Sequence, residues 1–224
     1  MQLCSMRSCG AFGSGRLRKY EGAPTTAMRI SGPIRTTIDP ARLSIPNLLQ
    51  RADIFVLKII AESFGERPIY FSRTSAGYGN ELGLGNYLLT QGLASKVFVP
   101  PAVASTDTVL LQGAGWVDVK RTKVLWDSVF TGQRSISTRD DWVDRPSVGI
   151  PYLYVATGLM LSEALQTTGD AASASRILGE SRKVAQAVRL DDLLAQMTEQ
   201  RPQPQEQNPL LTPTDSPKGA PLRQ

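Results

Sequence analysis

The residues with most chemistry to offer stand in the run Glu66-Arg67-Pro68-Ile69-Tyr70-Phe71-Ser72. The planar guanidinium of Arg67 can hold a carboxylate or phosphate through two parallel hydrogen bonds. It can equally form a salt bridge with Glu62 or Glu66 at the end of a preceding helix. Tyr70 and Phe71 are read as core strand residues rather than as a platform on which a sugar stacks. A second cluster, Asp140-Asp141-Trp142, sets two carboxylates beside an aromatic ring, as a carbohydrate subsite would. Neighbouring side chains on a loop point apart, however, so a solvated loop is the better reading. A third stretch, 75–85, is rich in glycine and lies between a strand and a helix, where phosphate loops occur. Gly83-x-Gly85 lacks the third glycine of a dinucleotide fingerprint, and no Gly-Lys-Ser/Thr follows. A turn-rich connection is the preferred reading there.

The composition removes much of the rest. Among 224 residues there is no histidine, which excludes Ser-His-Asp and Cys-His nucleophiles, imidazole acid–base chemistry and the usual zinc and iron ligand sets. The two cysteines, Cys4 and Cys9, make neither a metal site nor a disulfide framework. No catalytic residue, cofactor or metal ligand is assigned. The net charge of +5 is local: residues 1–35 hold six basic residues and one acid, which leaves 19 of each sign elsewhere. A neutral body without a basic face interleaved with aromatic residues argues against nucleic acid as a partner. No apolar run approaches the roughly 18–20 residues that span a bilayer, and no export signal is evident.

The elements that must position these residues suggest an α+β fold in four segments. Residues 1–38 read as a basic, disordered arm, 40–135 as a small strand–helix core, 150–190 as a helical pair, and 201–224, with six prolines, as a disordered tail. The first helix spans about 46–64, capped by Ser44 with Pro46 in its first turn. Leu48, Leu49, Ala52, Phe55, Val56, Ile59 and Ile60 form its expected buried face, with Asp53 among the residues opposite. Residues 69–71 and 96–99 read as strands flanking a short helix near 85–91, an order that allows parallel pairing with a right-handed crossover. A third strand is expected at 108–111 and a helix over 119–131, with Val124, Leu125, Val129 and Phe130 on one side. Two amphipathic helices, 151–168 and 170–190, then join at Thr168-Gly169-Asp170. Leu161, Leu165, Ala174 and Leu178 fall where a tetratricopeptide unit packs, although Gly158 stands in place of its large aromatic residue. One such pair cannot cover both its faces, so it must dock on this chain or on something else.

An ordered set of short strings resembles a known family. It comprises 48–60 (LLQRADIFVLKII), 66–71 (ERPIYF), Leu82-Gly83-Leu84 with Tyr87-Leu88, and Gln91-Gly92-Leu93-Ala94 ahead of Val97 and Val99-Pro100. The series is similar to the segment that follows the membrane region in bacterial multi-pass proteins of the protein O-mannosyltransferase-like family (glycosyltransferase family 117, domain of unknown function 2723). The resemblance covers about 40–190 and is densest over 47–100. It implies a carboxy-terminal, extracytoplasmic piece of a membrane glycosyltransferase-like protein. The catalytic acids would lie in the membrane part, so no catalytic residue is carried over. The implied partners are that membrane-embedded domain and an acceptor polypeptide. Arg67, Tyr70 and Tyr87, all in matched stretches, make up the one structural or ligand-contact motif. The alternative is a free-standing, cytoplasmic, tetratricopeptide-like interaction module.

Overall fold

The computed structural model describes residues 26–31, 34–43, 49–101, 107–139 and 145–199. Cys4 and Cys9, the Ser44 cap, the Asp140-Asp141-Trp142 cluster and the tail from 201 lie outside the described residues. The fold is α+β. Strands β3 (Tyr70–Ser72), β4 (Leu88–Gln91), β5 (Ala94–Val97), β6 (Thr108–Leu111) and β7 (Gly115–Asp118) form one mixed sheet in the order β3-β5-β4-β7-β6.

Ahead of the sheet, β1 (Thr26–Ser31) and β2 (Ile34–Ile38) pair antiparallel. This corrects the expectation of a disordered arm through residue 38. Ile34, Thr36 and Ile38 alternate into the core, and the Thr36 hydroxyl donates to Leu82 O at 2.6 Å. Helix α1 (Arg51–Ser63) begins later than expected because the Asp53 carboxylate turns back to accept from Gln50 N at 2.7 Å, fixing the first turn.

The helix is also rotated relative to its apolar pattern. Asp53, Leu57 and Ile60 face the core, whereas Phe55 and Ile59 stand 63% and 54% exposed. The reason is that α1 carries apolar residues on two sides. The side that packs is the one whose buried Asp53 finds a partner, the Tyr78 hydroxyl at 2.6 Å.

Within the sheet, the segment expected to be a helix near 85–91 is a 3-10 turn, Gly85–Tyr87, followed by β4. The parallel strand–helix–strand unit is likewise replaced. β3 and β4 both pair antiparallel with β5, and the one parallel pairing joins β4 to β7. The tight β4–β5 turn decides this. Gly92 sits at φ +64 in its first central position, as a primed hairpin turn requires. The glycine-rich stretch contains a short helix, α2 (Ala76–Glu81).

Helix α3 (Val119–Val124) starts at an Asp118 cap, whose Oδ1 accepts from Arg121 N at 2.8 Å, and widens into a π turn at Leu125–Val129. Val124 and Val129, expected on a packed side, are exposed there. Helices α4 (Gly132–Ser137), α5 (Gly149–Thr167), α6 (Ala171–Ala187) and α7 (Asp191–Glu199) follow. The α5–α6 pair forms as expected and docks on this chain. Met160, Leu161, Ala164, Leu165, Ala174 and Ile177 pack with Val109, Leu111 and Val117 of the sheet and with Trp126 of the π turn. Residues Val155 to Ser162 are all buried, so α5 is the central helix of this half. Phe71, Leu88 and Val97, from the other end of the sheet, pack with Ile34, Ile38, Leu57 and Ile60.

Candidate functional site

The three residues singled out in the sequence do not converge. Arg67 is exposed in the turn after α1, where its backbone N–H donates to Ser63 O at 3.0 Å. Its expected partner Glu62 pairs with Lys58 instead, at 3.7 Å. Tyr87 packs against the β1–β2 and α1 core, and its hydroxyl accepts from Arg35 N at 3.2 Å, a structural tie. Tyr70 is half-exposed rather than core, whereas its neighbour Phe71 is buried as expected.

Strand register explains Tyr70. Tyr70, Lys96, Leu89, Trp116 and Leu110 are successive partners across the five strands, and so share one face of the sheet. The adjacent row, Phe71, Ser95, Thr90, Val117 and Val109, points the other way and is buried. Both halves of the helical layer cover that second face. On the first face exposure falls toward the middle: Tyr70 and Leu110 at the edges are exposed, Lys96 and Trp116 are partly buried, and Leu89 is buried.

This face combines rings with fixed polar groups. Phe98 and Trp116 meet edge to face, with centroids 6.0 Å apart and planes at 77°. The next row on this face holds Ser72, Ala94, Gln91, Asp118 and Thr108. Gln91 Nε2 donates to Asp118 Oδ2 at 2.8 Å, and Gln91 Oε1 accepts from the Tyr70 hydroxyl at 3.3 Å. The amide is therefore held in one orientation from both sides. Lys96 adds one cation and Asp118 one anion. Sequence reading missed Gln91, Trp116 and Asp118 because β4 reads as a helix and β7 is only four residues long. The alternation in Gly115-Trp116-Val117-Asp118 was the available signal.

Two further polar clusters tie elements together. Tyr78 donates to the buried Asp53; burial first, then this carboxylate, pushes the phenol pKa up. On the other side, Lys123 and Arg176 donate to the two oxygens of Asp127 at 2.9 and 2.8 Å, and Arg176 also reaches Glu180 at 2.7 Å. Burial would raise the Asp127 pKa, but the bonds from Lys123 and Arg176 outweigh it and hold the carboxyl below its ordinary value. These charges satisfy one another.

The outer face of α1 is a second surface. Phe55 and Ile59, one turn apart, protrude beside Arg51 and Lys58, on a helix whose opposite face is already core. Among the described residues no helix is long and apolar enough to cross a membrane, and no group of three metal-ligating side chains occurs. Compared with known proteins, the chain matches no family model, no curated sequence and no solved structure.

Proposed function

We propose that this chain is a non-catalytic, extracytoplasmic domain of a multi-pass membrane glycosyltransferase-like protein, seated on the membrane-embedded part through the outer face of α1. The observation that carries this reading is the exposure of Phe55 and Ile59 on that face. A helix apolar on two sides is built to be covered on two sides, and large exposed apolar groups mark contact surfaces. In the family that the sequence resembles, the matching segment follows the membrane region, which supports this reading. The α5–α6 pair does not supply this surface, because its apolar face packs on the sheet and Trp126.

The test is immunodetection of the native protein in fractionated cells. The reading expects a band larger than this chain in the membrane fraction, released by detergent but not by alkaline carbonate. A band at the mass of this chain alone, in the cytosol, would overturn it. That second result favours a free-standing tetratricopeptide-like interaction module. Support for the alternative comes from α7, which follows α6 after a short turn, as a third helix of such an array would.

A further inference from the structure

We propose that the β4–β7 seam is a hinge. About it, the half of the molecule built from β1 to β5 and the half built from β6 to α7 part as two cooperative units, each keeping its own core. The hinge concerns the joint between the halves and not the outer face of α1, so this inference and the membrane-docking reading can fail separately.

The division of the core carries the inference. Among the described residues, every buried member of the first hydrophobic cluster lies between Ile34 and Val97. Every buried member of the other two lies between Val109 and Leu194. The partly buried side chains packed on these clusters keep to the same division. Long-range polar ties brace each half from within. Thr36 reaches Leu82 and Tyr78 reaches Asp53 in the first, while Trp126 reaches Glu180 and Arg176 reaches Asp127 in the second. A segment of roughly 60 residues can already fold around a core of its own, and both halves are longer.

What crosses the joint is slight by comparison. Two residue pairs, Leu89–Trp116 and Thr90–Val117, join β4 to β7, in the parallel arrangement that is the less stable per residue. Gln91 Nε2 donates to Asp118 Oδ2 at 2.8 Å, and Gly92 N donates to the Thr122 hydroxyl at 3.1 Å. Phe98 meets the edge of Trp116, and the β4–β5 turn leans on Phe130, whose Cζ would lie 2.8 Å from a Cβ at Gly92. On the covered face of the sheet the apolar row is interrupted at this place. Between Phe71 of the first cluster and Val117 of the second stand Ser95 and Thr90, their hydroxyls 3.5 Å apart. Hydrophobic stabilisation follows the apolar area removed from water, so parting at the joint costs less than opening either core. Openings short of full unfolding run along such boundaries between contiguous units. This one lets the half that carries α5, α6 and α7 turn relative to the half that carries α1.

The test is amide hydrogen exchange of the whole chain, resolved by NMR, over a series of low urea concentrations. Thr90, Gly92 and Trp116 report the joint, and Ile60 and Ile177 report the two cores. The three joint amides are expected to share one opening with one urea dependence, populated at least about tenfold more than the openings that free Ile60 and Ile177. Gln91→Ala should speed exchange at the joint by about threefold or more and leave Ile60 and Ile177 unchanged. Thr122→Val, altered on the opposite side of the joint, should speed Thr90 and Trp116 likewise, and it keeps the test valid if Gln91→Ala fails to fold. Joint amides as protected as Ile60 and Ile177 would mean a single indivisible unit. Fast exchange of Gly92 without Thr90 and Trp116 would mean a fraying turn. Either result, or a Gln91→Ala effect that extends to Ile60 and Ile177, would overturn the proposal.

Discussion

The indole N–H of Trp126 donates to the Glu180 carboxylate at 2.7 Å, joining residues 54 apart in sequence. Trp126 is completely buried, and it comes from the π turn at the end of α3. Its ring end lies over Gly158 of α5 while its nitrogen reaches α6. One side chain thus locks three helices. Replacing it with phenylalanine should keep much of the packing but remove the donor, costing about 1–3 kcal/mol. Alanine should cost about 3–5 kcal/mol. Urea unfolding of the two variants checks both values and their order.

Gly158 should tolerate no side chain. A Cβ there would collide with the Ser181 hydroxyl and come within 2.7 Å of Trp126 Cη2. Gly158→Ala is expected to destabilise by about 1–3 kcal/mol. Adding Ser181→Gly should recover part of that loss. A thermal melt of single and double variants measures the recovery, and no recovery would mean that the Trp126 ring is the sole obstacle.

Acid should weaken the α3–α6 junction through Asp127. Its pKa is lower in the fold than in the unfolded chain, so the unfolded state binds the proton more readily. The stabilising contribution is therefore complete above the ordinary carboxylate value of about 4. It is lost as pH falls below that value. Asp127→Asn should cost about 1–2 kcal/mol at pH 7 and should differ less from the parent at pH 3. Unfolding curves at both pH values test the sign.

On α1, position matters more than residue type. Leu57→Ala, on the buried side, should cost about 2–5 kcal/mol. Phe55→Gln and Ile59→Gln should each change stability by no more than about 0.5 kcal/mol, while weakening the proposed attachment to a membrane partner. Comparing Tm of the purified variants with their membrane retention in cells separates the two effects.

The helical half of this fold was legible because long elements repeat their pattern. The α5–α6 pair and its Gly169-Asp170 turn follow directly from spacing. The four-residue β4 has too few positions to distinguish strand from helix, and Leu88-Leu89 suits either. For α1, apolar residues on both sides pointed to the wrong rotation, because the spacing gave no sign that Asp53 would turn inward to Tyr78. The exposure of Tyr70 was out of reach for another reason. Alternation tells that Tyr70 and Phe71 point in opposite directions, but not which side the helices cover.

The β4–β7 pairing carries a kinetic consequence. Only Leu89–Trp116 and Thr90–Val117 are joined across it, whereas β4–β5 and β6–β7 are local antiparallel hairpins. Each hairpin closes a short loop, and the parallel seam must close a much longer one, which is the slower event. Gln91 belongs to the first hairpin, and Trp116 and Asp118 to the second. Closing the seam is thus also the step that brings Gln91 beside Asp118, and the 2.8 Å bond between their side chains acts as a clasp on the last-formed part of the sheet.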